Sequence, residues 1–249
     1  NSVNEIDLSH HHSQQLYLHK MPISTISASS TSQVIFTGDI SGSAQLWSNN
    51  TLVKLPQSTM PIWSSDFAPK GGVFAFGSSD SIIRLFDTPK QKPIRYLCGH
   101  KSSVIDIKFH PNCFLISSTA MDSTVRVWDP RESKTVRLWI SKIDSPLKPT
   151  FSWDGKMIAF LEYPNTIVVG EIATSKEIHR RAINEVHIYS IHFALDDQSI
   201  YIITRKGEIL NLPIFKEEKQ IRLMKELNQS PISSTLSSSG DLCVVTSKR

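Results

Sequence analysis

The chain has 249 residues, with 27 Lys and Arg against 23 Asp and Glu and a formal net charge of +4. This balance is too even to indicate a nucleic-acid-binding surface, and no basic stripe interleaved with aromatic residues is present. The three cysteines, Cys98, Cys113 and Cys243, are scattered, which excludes a disulfide framework or zinc motif and indicates a reducing compartment. No apolar run approaches the roughly 18 residues that span a bilayer.

Two short segments with alternating apolar residues, 3–8 and 15–19, open the chain and are predicted to be strands. A histidine-rich stretch, 10–12, lies between them, and with His19 it suggests a metal site. Side chains alternate between the faces of a strand, so three adjacent histidines cannot all reach one ion. We therefore expect an exposed loop and no metal. Because the chain begins with Asn1, we also expect it to be the C-terminal domain of a longer protein.

Six strand–turn–strand units follow, and together with closing strands at 1–20 they are predicted to form one domain over 1–249. The units open near residues 21, 60, 102, 145, 187 and 230. Fourth strands are predicted between each closing and the next opening, for example at 93–97, 135–140 and 177–183.

The units repeat with a period of about 42 residues. One column of aligned apolar positions consists of Phe67, Phe109, Phe151, Phe193 and Leu236, spaced by 42, 42, 42 and 43 residues. A second column consists of Trp47, Phe86, Trp128, Gly170 and Leu212, and a third of Ile94, Val136, Ile178 and Ile221. A period of 40–45 residues built of short strands is typical of a WD-type propeller blade. The sequence therefore predicts an all-β, WD40-type β-propeller with six visible blades.

The unit that opens near residue 102 keeps the most informative pattern. It is preceded by Gly99-His100 and closed by Trp128-Asp129, so it resembles a WD repeat. The resemblance implies a buried hydrogen-bond relay through His100, Ser118, Asp122 and Trp128. Histidine, serine and aspartate can also form a hydrolase triad, which is recognised by geometry and roles. A WD relay requires these residue types at these offsets, so we expect a structural role.

The other units keep less of this pattern. Asp80 matches Asp122, but Ser41, Pro164 and Lys206 occupy the equivalent turn position elsewhere. The chain is therefore expected to be a degenerate WD protein with one well-preserved blade.

For residues 217–227, the local composition and the repeat register predict different secondary structures. The segment reads EEKQIRLMKEL, which favours an amphipathic helix by composition. Ile221 belongs to the third repeat column, so the register predicts a strand over about 220–225.

The last unit, which opens near residue 230, has only two strands before the chain stops. Open strand edges promote association, and propellers avoid them by closing the ring. We expect the N-terminal strands to complete this last blade and so to close the ring.

Two stretches indicate a particular family. They read PIWSSDFAP and IRLF at 61–69 and 83–86, then KPIRYLCGH and FHPN at 92–100 and 109–112. These stretches resemble the propeller of the WD-repeat TBP-associated factors, the fifth subunit of the general transcription factor TFIID. The resemblance covers roughly residues 15–249 and is densest over 61–128. The family propeller has seven blades, whereas six are visible here.

The resemblance implies a nuclear scaffold of TFIID or of a SAGA-type coactivator that binds histone-fold TBP-associated factors, without catalysis or a cofactor. Trp63, Lys101 and His187 lie at strand openings and loops of one face and are candidate partner contacts. Trp139, on a predicted outer strand, is a candidate contact on the rim. Exposed aromatic residues often anchor interfaces, although Trp63 would also suit packing between blades.

Other classes remain open. The sequence from Trp128 to Arg131 matches the WDxR pattern of propeller substrate receptors of cullin ubiquitin ligases, in which Arg131 would dock the adaptor. Another WD scaffold, for instance in RNA processing or trafficking, is a further alternative. An enzyme would need convergent polar or metal-binding side chains at the channel mouth, and the sequence shows no such set.

Overall fold

The computed structural model describes residues 2–7, 12–48, 51–142, 146–162, 164–183, 187–215, 222–227, 230–236 and 242–246. The regular elements in these ranges are all β-strands. In this part of the chain, no helix has the length and apolar character that crossing a membrane demands.

The strands form five four-stranded antiparallel sheets, preceded and followed by a two-stranded sheet. The N-terminal hairpin consists of β1 (Ser2–Asp7) and β2 (His12–Leu18). Blade 1 consists of β3 (Ile23–Ala28), β4 (Val34–Asp39), β5 (Ala44–Ser48) and β6 (Thr51–Lys54). Blade 2 consists of β7 (Ile62–Phe67), β8 (Val73–Ser78), β9 (Ile83–Asp87) and β10 (Lys92–Leu97). Blade 3 consists of β11 (Val104–Phe109), β12 (Ile116–Ala120), β13 (Thr124–Asp129) and β14 (Lys134–Ile140).

The later blades repeat this order. Blade 4 consists of β15 (Pro146–Phe151), β16 (Met157–Glu162), β17 (Thr166–Glu171) and β18 (Glu177–Ala182). Blade 5 consists of β19 (Ile188–Phe193), β20 (Ser199–Thr204), β21 (Glu208–Pro213) and β22 (Arg222–Glu226). Blade 6 contains β23 (Pro231–Leu236) and β24 (Leu242–Thr246). Each blade's first strand contacts the first strand of the next, from β3 through β23, which is the arrangement of a β-propeller.

Burial follows the position of each strand within its blade. The second strands are largely buried, and every described residue of β16 is buried. The outermost strand β10 is exposed over its first five residues. Buried apolar side chains therefore lie between neighbouring blades. Between blades 1 and 2, five phenylalanines pack with ring centroids 5.2–5.6 Å apart: Phe36, Phe67, Phe74, Phe76 and Phe86.

A β-bulge recurs near the start of the first strand in all six described blades. The pairing register shifts between Ile62 and Ser64 in blade 2 and between Val104 and Asp106 in blade 3. Blades 1, 5 and 6 shift at the corresponding place, and blade 4 shifts slightly later, between Leu147 and Thr150. A bulge re-aims the side chains beside it. The recurrence in β23 identifies the two-stranded sheet as the first half of a sixth blade.

The segment with helical composition forms a strand. β22 pairs antiparallel with β21, and Leu223 lies opposite Leu210. The prediction from the repeat register is therefore confirmed over the described residues, while 216–221 lie outside them. Pairing with a neighbouring strand has overridden the local helix propensity.

The N-terminal segments form strands as predicted, but the predicted ring closure is not observed. Among the described strands, β1 pairs only with β2 and β23 pairs only with β24. The chain after Leu18 turns directly into blade 1, where His19 is anchored on β4. Alternation within 3–8 and 15–19 indicated strands, but it carried no information about their partners.

Candidate partner-binding face

The first strands of all blades begin at one end of the propeller, where the turns between second and third strands also lie. In blade 3, Met121 N donates to Ser103 O over 3.0 Å and so joins these two segments. In blade 2, Ser79 N donates to Pro61 O over 2.9 Å in the same way. We call this end of the propeller the relay face, because hydrogen-bonded side-chain relays underlie its turns.

The relay of blade 3 has a fixed direction. Trp128 Nε1 lies 2.8 Å from Ser118 Oγ, Ser118 Oγ lies 2.7 Å from His100 Nε2, and His100 Nδ1 lies 2.9 Å from Asp122 Oδ2. An indole N–H can only donate, and an ionised carboxylate can only accept. Ser118 therefore accepts from Trp128 and donates to His100, which carries its proton on Nδ1 and donates to Asp122. Each buried polar group has a partner, which is the condition for such a network to stabilise the fold.

The electrostatics keep this relay in one protonation state at neutral pH. Burial lowers the pKa of His100 despite the opposing influence of Asp122, so the imidazole is neutral. Burial alone would raise the pKa of Asp122, but hydrogen bonds from Thr124, the Lys101 backbone and His100 outweigh it and hold the pKa at about 2. Because Asp122 Oδ2 also accepts from Lys101 N over 2.9 Å, the relay fixes the loop that carries Lys101.

Blade 1 has a second relay that the sequence reasoning missed. His19 is 4% exposed, so the prediction that it belongs to an exposed loop is wrong. His19 Nδ1 lies 2.9 Å from Asp39 Oδ2, and His19 Nε2 lies 2.8 Å from Thr37 Oγ1. His19 precedes Thr37 by 18 residues, as His100 precedes Ser118, and this shared spacing was the available signal.

The carboxylate of blade 1 comes from a different position in the repeat. Asp122 lies in the turn after the second strand, whereas Asp39 is the last residue of β4. Asp39 Oδ1 accepts from Ser41 N and Ser43 N, at 2.9 and 3.0 Å, and so stabilises the turn from the strand end. A search restricted to the turn position finds only Ser41 and misses this aspartate.

Blades 2 and 4 hold their carboxylates with arginine. Asp80 accepts from both terminal nitrogens of Arg84, at 3.1 and 2.6 Å. Burial raises the pKa of Asp80, but the bonds from Arg84 and the neighbouring serine outweigh it and bring the pKa to about 2. In blade 4, Glu162 ends β16 and pairs with Arg180 while it accepts from Ser141 Oγ over 3.0 Å. The acidic groups beneath the relay face are therefore engaged within the fold.

Three of the predicted contact residues lie on the relay face. Trp63 is 42% exposed at the start of β7, and its Nε1 donates to Ser79 Oγ over 2.6 Å. Lys101 and His187 are also exposed, at the turns before β11 and β19. An exposed indole held at its polar edge by a hydrogen bond presents a fixed apolar surface to a partner.

Trp139 is not a rim contact, contrary to the prediction. Its side chain is buried, 7% exposed, within the cluster between blades 3 and 4. Gly170 occupies the place in blade 4 where Trp128 stands in blade 3, and a Cβ there would lie 2.6 Å from Trp139 Nε1. The indole of Trp139 thus fills the space left by a missing repeat tryptophan. The sequence signal for this packing was a glycine, Gly170, in the repeat column that holds Trp128, together with a tryptophan, Trp139, outside that column.

Arg131 lies on the opposite face, in the turn between β13 and β14. Its Nε and Nη2 donate to the two carboxylate oxygens of Asp129, at 3.0 and 2.6 Å, and its guanidinium lies 5.3 Å from the Phe114 ring centroid. The guanidinium N–H groups that an adaptor would contact are therefore already hydrogen-bonded within the blade.

A central cavity of about 770 Å³ runs along the first strands. Lys108 Nζ pairs with Asp66 Oδ1 over 2.9 Å, and the main-chain nitrogen of Lys148 donates to Asp106 Oδ2 over 3.2 Å. His192 Nε2 lies 3.0 Å from a serine hydroxyl of β23. Burial, reinforced by the two lysines, lowers the pKa of His192 to about 4. These groups serve chiefly to bond one blade to the next across the channel.

Comparisons with known proteins agree with the repeat. The pattern of the family described as "WD domain, G-beta repeat" matches residues 49–87 and 91–129. The chain is 25% identical over 157 residues to "Transcription initiation factor TFIID subunit 5" of Caenorhabditis elegans, covering 62% of this chain and 24% of that protein. It is 29% identical over 117 residues to "U4/U6 small nuclear ribonucleoprotein PRP4" of Saccharomyces cerevisiae, covering 43% and 25%.

A third similar protein is "Nuclear distribution protein nudF 2" of Talaromyces marneffei, 36% identical over 88 residues, covering 35% of this chain and 18% of that protein. The chain thus spans about a quarter or less of the length of these relatives. Proteins with WD40 repeats generally act as non-enzymatic scaffolds and mediate interactions between proteins. Matched repeats and successive four-stranded blades lead to one conclusion: this chain is a WD-repeat protein with a WD40-type β-propeller fold.

Proposed function

We propose that this propeller is a non-enzymatic scaffold subunit of TFIID or of a SAGA-type coactivator, in the nucleus, and that it binds histone-fold TBP-associated factors through its relay face. The observation that carries the proposal is the similarity to TFIID subunit 5, which extends over 62% of the chain. That stretch extends beyond the two matched repeats.

The structure supports a role in assembly. Relays in blades 1 and 3 fix the turns from beneath, so the relay face is a preformed surface whose side chains need little ordering on binding. Preorganised surfaces lose less conformational entropy when they bind. Trp63, Lys101 and His187 are exposed there and are the proposed contacts.

A scaffold in an RNA-processing complex is the second candidate. It is favoured by the similarity to the U4/U6 small nuclear ribonucleoprotein PRP4 over 43% of the chain. The ubiquitin-ligase receptor has less support, because the Arg131 guanidinium is bound to Asp129.

Affinity purification of the tagged full-length protein from nuclear extract, followed by mass spectrometry, tests these proposals. TBP and histone-fold TBP-associated factors should co-purify, and acetyltransferase subunits would indicate the coactivator. Recovery of spliceosomal proteins without TBP-associated factors would favour the second candidate. Recovery of a cullin adaptor alone would contradict both.

A further inference from the structure

An apolar strip crosses three blades on the relay face. It consists of Met21, Met60, Trp63 and Met121, each between 42% and 53% exposed. Hydrogen bonds link its members in blades 2 and 3: Met121 N donates to Ser103 O, Ser103 Oγ to Ser79 O, and Trp63 Nε1 to Ser79 Oγ. We call these four residues the Met–Trp strip. Methionine adapts its shape to different apolar partners, so such a strip suits a protein ligand.

Five lysines on the same face have no acidic partner among the described residues. They lie in the turns of blades 1, 3, 4 and 5 and at the end of β6: Lys20, Lys54, Lys101, Lys142 and Lys206. All five are exposed, and none forms an ion pair with a carboxylate of the described residues. We call them the face lysines.

The acidic residues of the relay face do not offset these lysines at the surface. Asp39, Asp80, Asp122 and Glu162 are all turned into the relays, and their side chains are at most 16% exposed. Among the side chains that the structure describes, no Asp or Glu on this face is exposed; Glu208, at the start of β21, is half-buried and accepts from Thr204 Oγ1 over 3.2 Å. Asp144, Glu185 and the side chain of Glu226 lie outside the described part of the chain. The described surface therefore presents uncompensated positive charge around an apolar centre.

The opposite face differs in charge pattern. Four of its exposed basic groups lie beside acids, in the pairs Lys90–Asp87, Arg131–Asp129, Lys134–Glu132 and Lys156–Asp154. Three further lysines, Lys70, Lys92 and Lys176, are exposed there without an ion pair among the described residues, while Asp196 and Asp197 in the turn before β20 add negative charge. Exposed pairs add little stability, but they cancel the local charge. The charge asymmetry between the two faces thus separates a surface suited to an anionic partner from one that is locally balanced.

We propose that the relay face binds an acidic peptide segment of a partner protein. Its Asp and Glu side chains would meet the face lysines, and its apolar side chains would cover the Met–Trp strip. This inference rests on the proposed scaffold function and specifies the chemistry of the partner. A nucleic acid would satisfy the lysines through its phosphates but would leave the methionines without apolar contacts.

Selection of a random peptide library on the intact chain tests this chemistry. The selected peptides should be enriched in Asp and Glu interspersed with Leu, Phe or other apolar residues. Their affinity is then measured by fluorescence anisotropy on a relay-face variant carrying K20E, K54E and K101E, and on a control carrying K90E, K134E and K156E. The two variants change the net charge equally, and all six lysines are exposed.

Three charge reversals that each weaken binding about twofold predict a roughly tenfold loss of affinity for the relay-face variant. The opposite-face control should lose less than about threefold. A second variant, M60S with M121S, should also weaken binding while urea unfolding stays unchanged, since both side chains are exposed. Affinity that is insensitive to salt would contradict the proposed charge contacts.

The inference fails if selection yields no acidic peptides, or if both lysine variants weaken binding equally. It also fails if a DNA or RNA oligonucleotide binds the relay face more tightly than the selected peptides. Affinity purification separates these failures from failure of the proposed function. If TBP-associated factors co-purify equally with both lysine variants, the scaffold function stands but the relay face is not the binding surface. If acidic peptides are selected but those factors are not recovered, only the proposed membership of TFIID or of the coactivator is refuted.

Discussion

Replacing His100 with alanine tests whether the relay supports the fold. In the wild-type protein, His100 donates to Asp122 and accepts from Ser118, and its side chain is fully buried. The substitution removes a hydrogen bond to a carboxylate, of about 1.5–3 kcal/mol, and leaves a buried hydroxyl without its acceptor, at a cost of about 1–3 kcal/mol. Asp122 keeps its bonds from Thr124 and Lys101, so we expect a total loss of about 3–5 kcal/mol in the free energy of unfolding.

Urea unfolding followed by tryptophan fluorescence measures this loss, with Lys101→Ala as the matched control. The Lys101 side chain is exposed and only its backbone contacts Asp122, so the control should change stability by less than about 0.5 kcal/mol. A loss below about 1 kcal/mol for His100→Ala, or an equal loss in the control, would refute the relay account.

The cost of His100→Ala should also depend on pH. The pKa of His100 is lowered in the folded protein, so its stabilising effect is complete above the unfolded value near 6.5 and declines as the pH falls below it. The pKa of Asp122 is about 2 rather than 3.8, so its contribution is lost later, between about pH 4 and 2. Both effects make the mutation less costly in acid. An increase of the cost between pH 7.5 and 5 would contradict this sign.

Further substitutions follow from the geometry. Trp139→Ala should lower the free energy of unfolding by about 3–5 kcal/mol, because it opens a cavity against Gly170. Trp139→Phe should cost far less, since the indole N–H has no hydrogen-bond partner among the described residues. Urea unfolding of the two variants measures the difference. Because the pKa of His192 falls from 6.5 to about 4 on folding, the wild-type protein should lose up to about 3 kcal/mol of stability as the pH drops from 6.5 to 4. His192→Gln should make this pH dependence smaller, and unfolding at several pH values measures it. Arg131→Ala should leave thermal stability within about 1 kcal/mol of wild type, because the side chain is 68% exposed.

The repeat register predicted most of the fold because it records a constraint shared by all blades. The described members of the first two apolar columns are buried between blades, whereas those of the third column, Ile94, Val136 and Ile178, are 37–47% exposed on the outer strands. The columns recur even where the polar relay is lost. This constraint was strong enough to assign β22 as a strand against its helical composition. It also predicted the fourth strands of blades 2, 3 and 4 to within a few residues.

The register failed where one blade compensates for another. Trp139 belongs to the outer strand of blade 3 but fills space beside Gly170 of blade 4, and a column that compares equivalent positions does not contain this exchange. His19 and Asp39 form a relay in which only the histidine and threonine keep their repeat positions. Compensation of this kind depends on distances between blades, which a period along the sequence does not contain.

The central claim is that the relay face is where this propeller holds an acidic segment of a partner. A zero-length carbodiimide, which couples lysine amines to carboxylates in direct contact, tests it in the purified native complex of the full-length protein. Mass spectrometry should find links from Lys20, Lys54, Lys101, Lys142 or Lys206 to Asp and Glu of a partner subunit. Links to partners that arise only from opposite-face lysines, such as Lys90 and Lys156, would contradict the account.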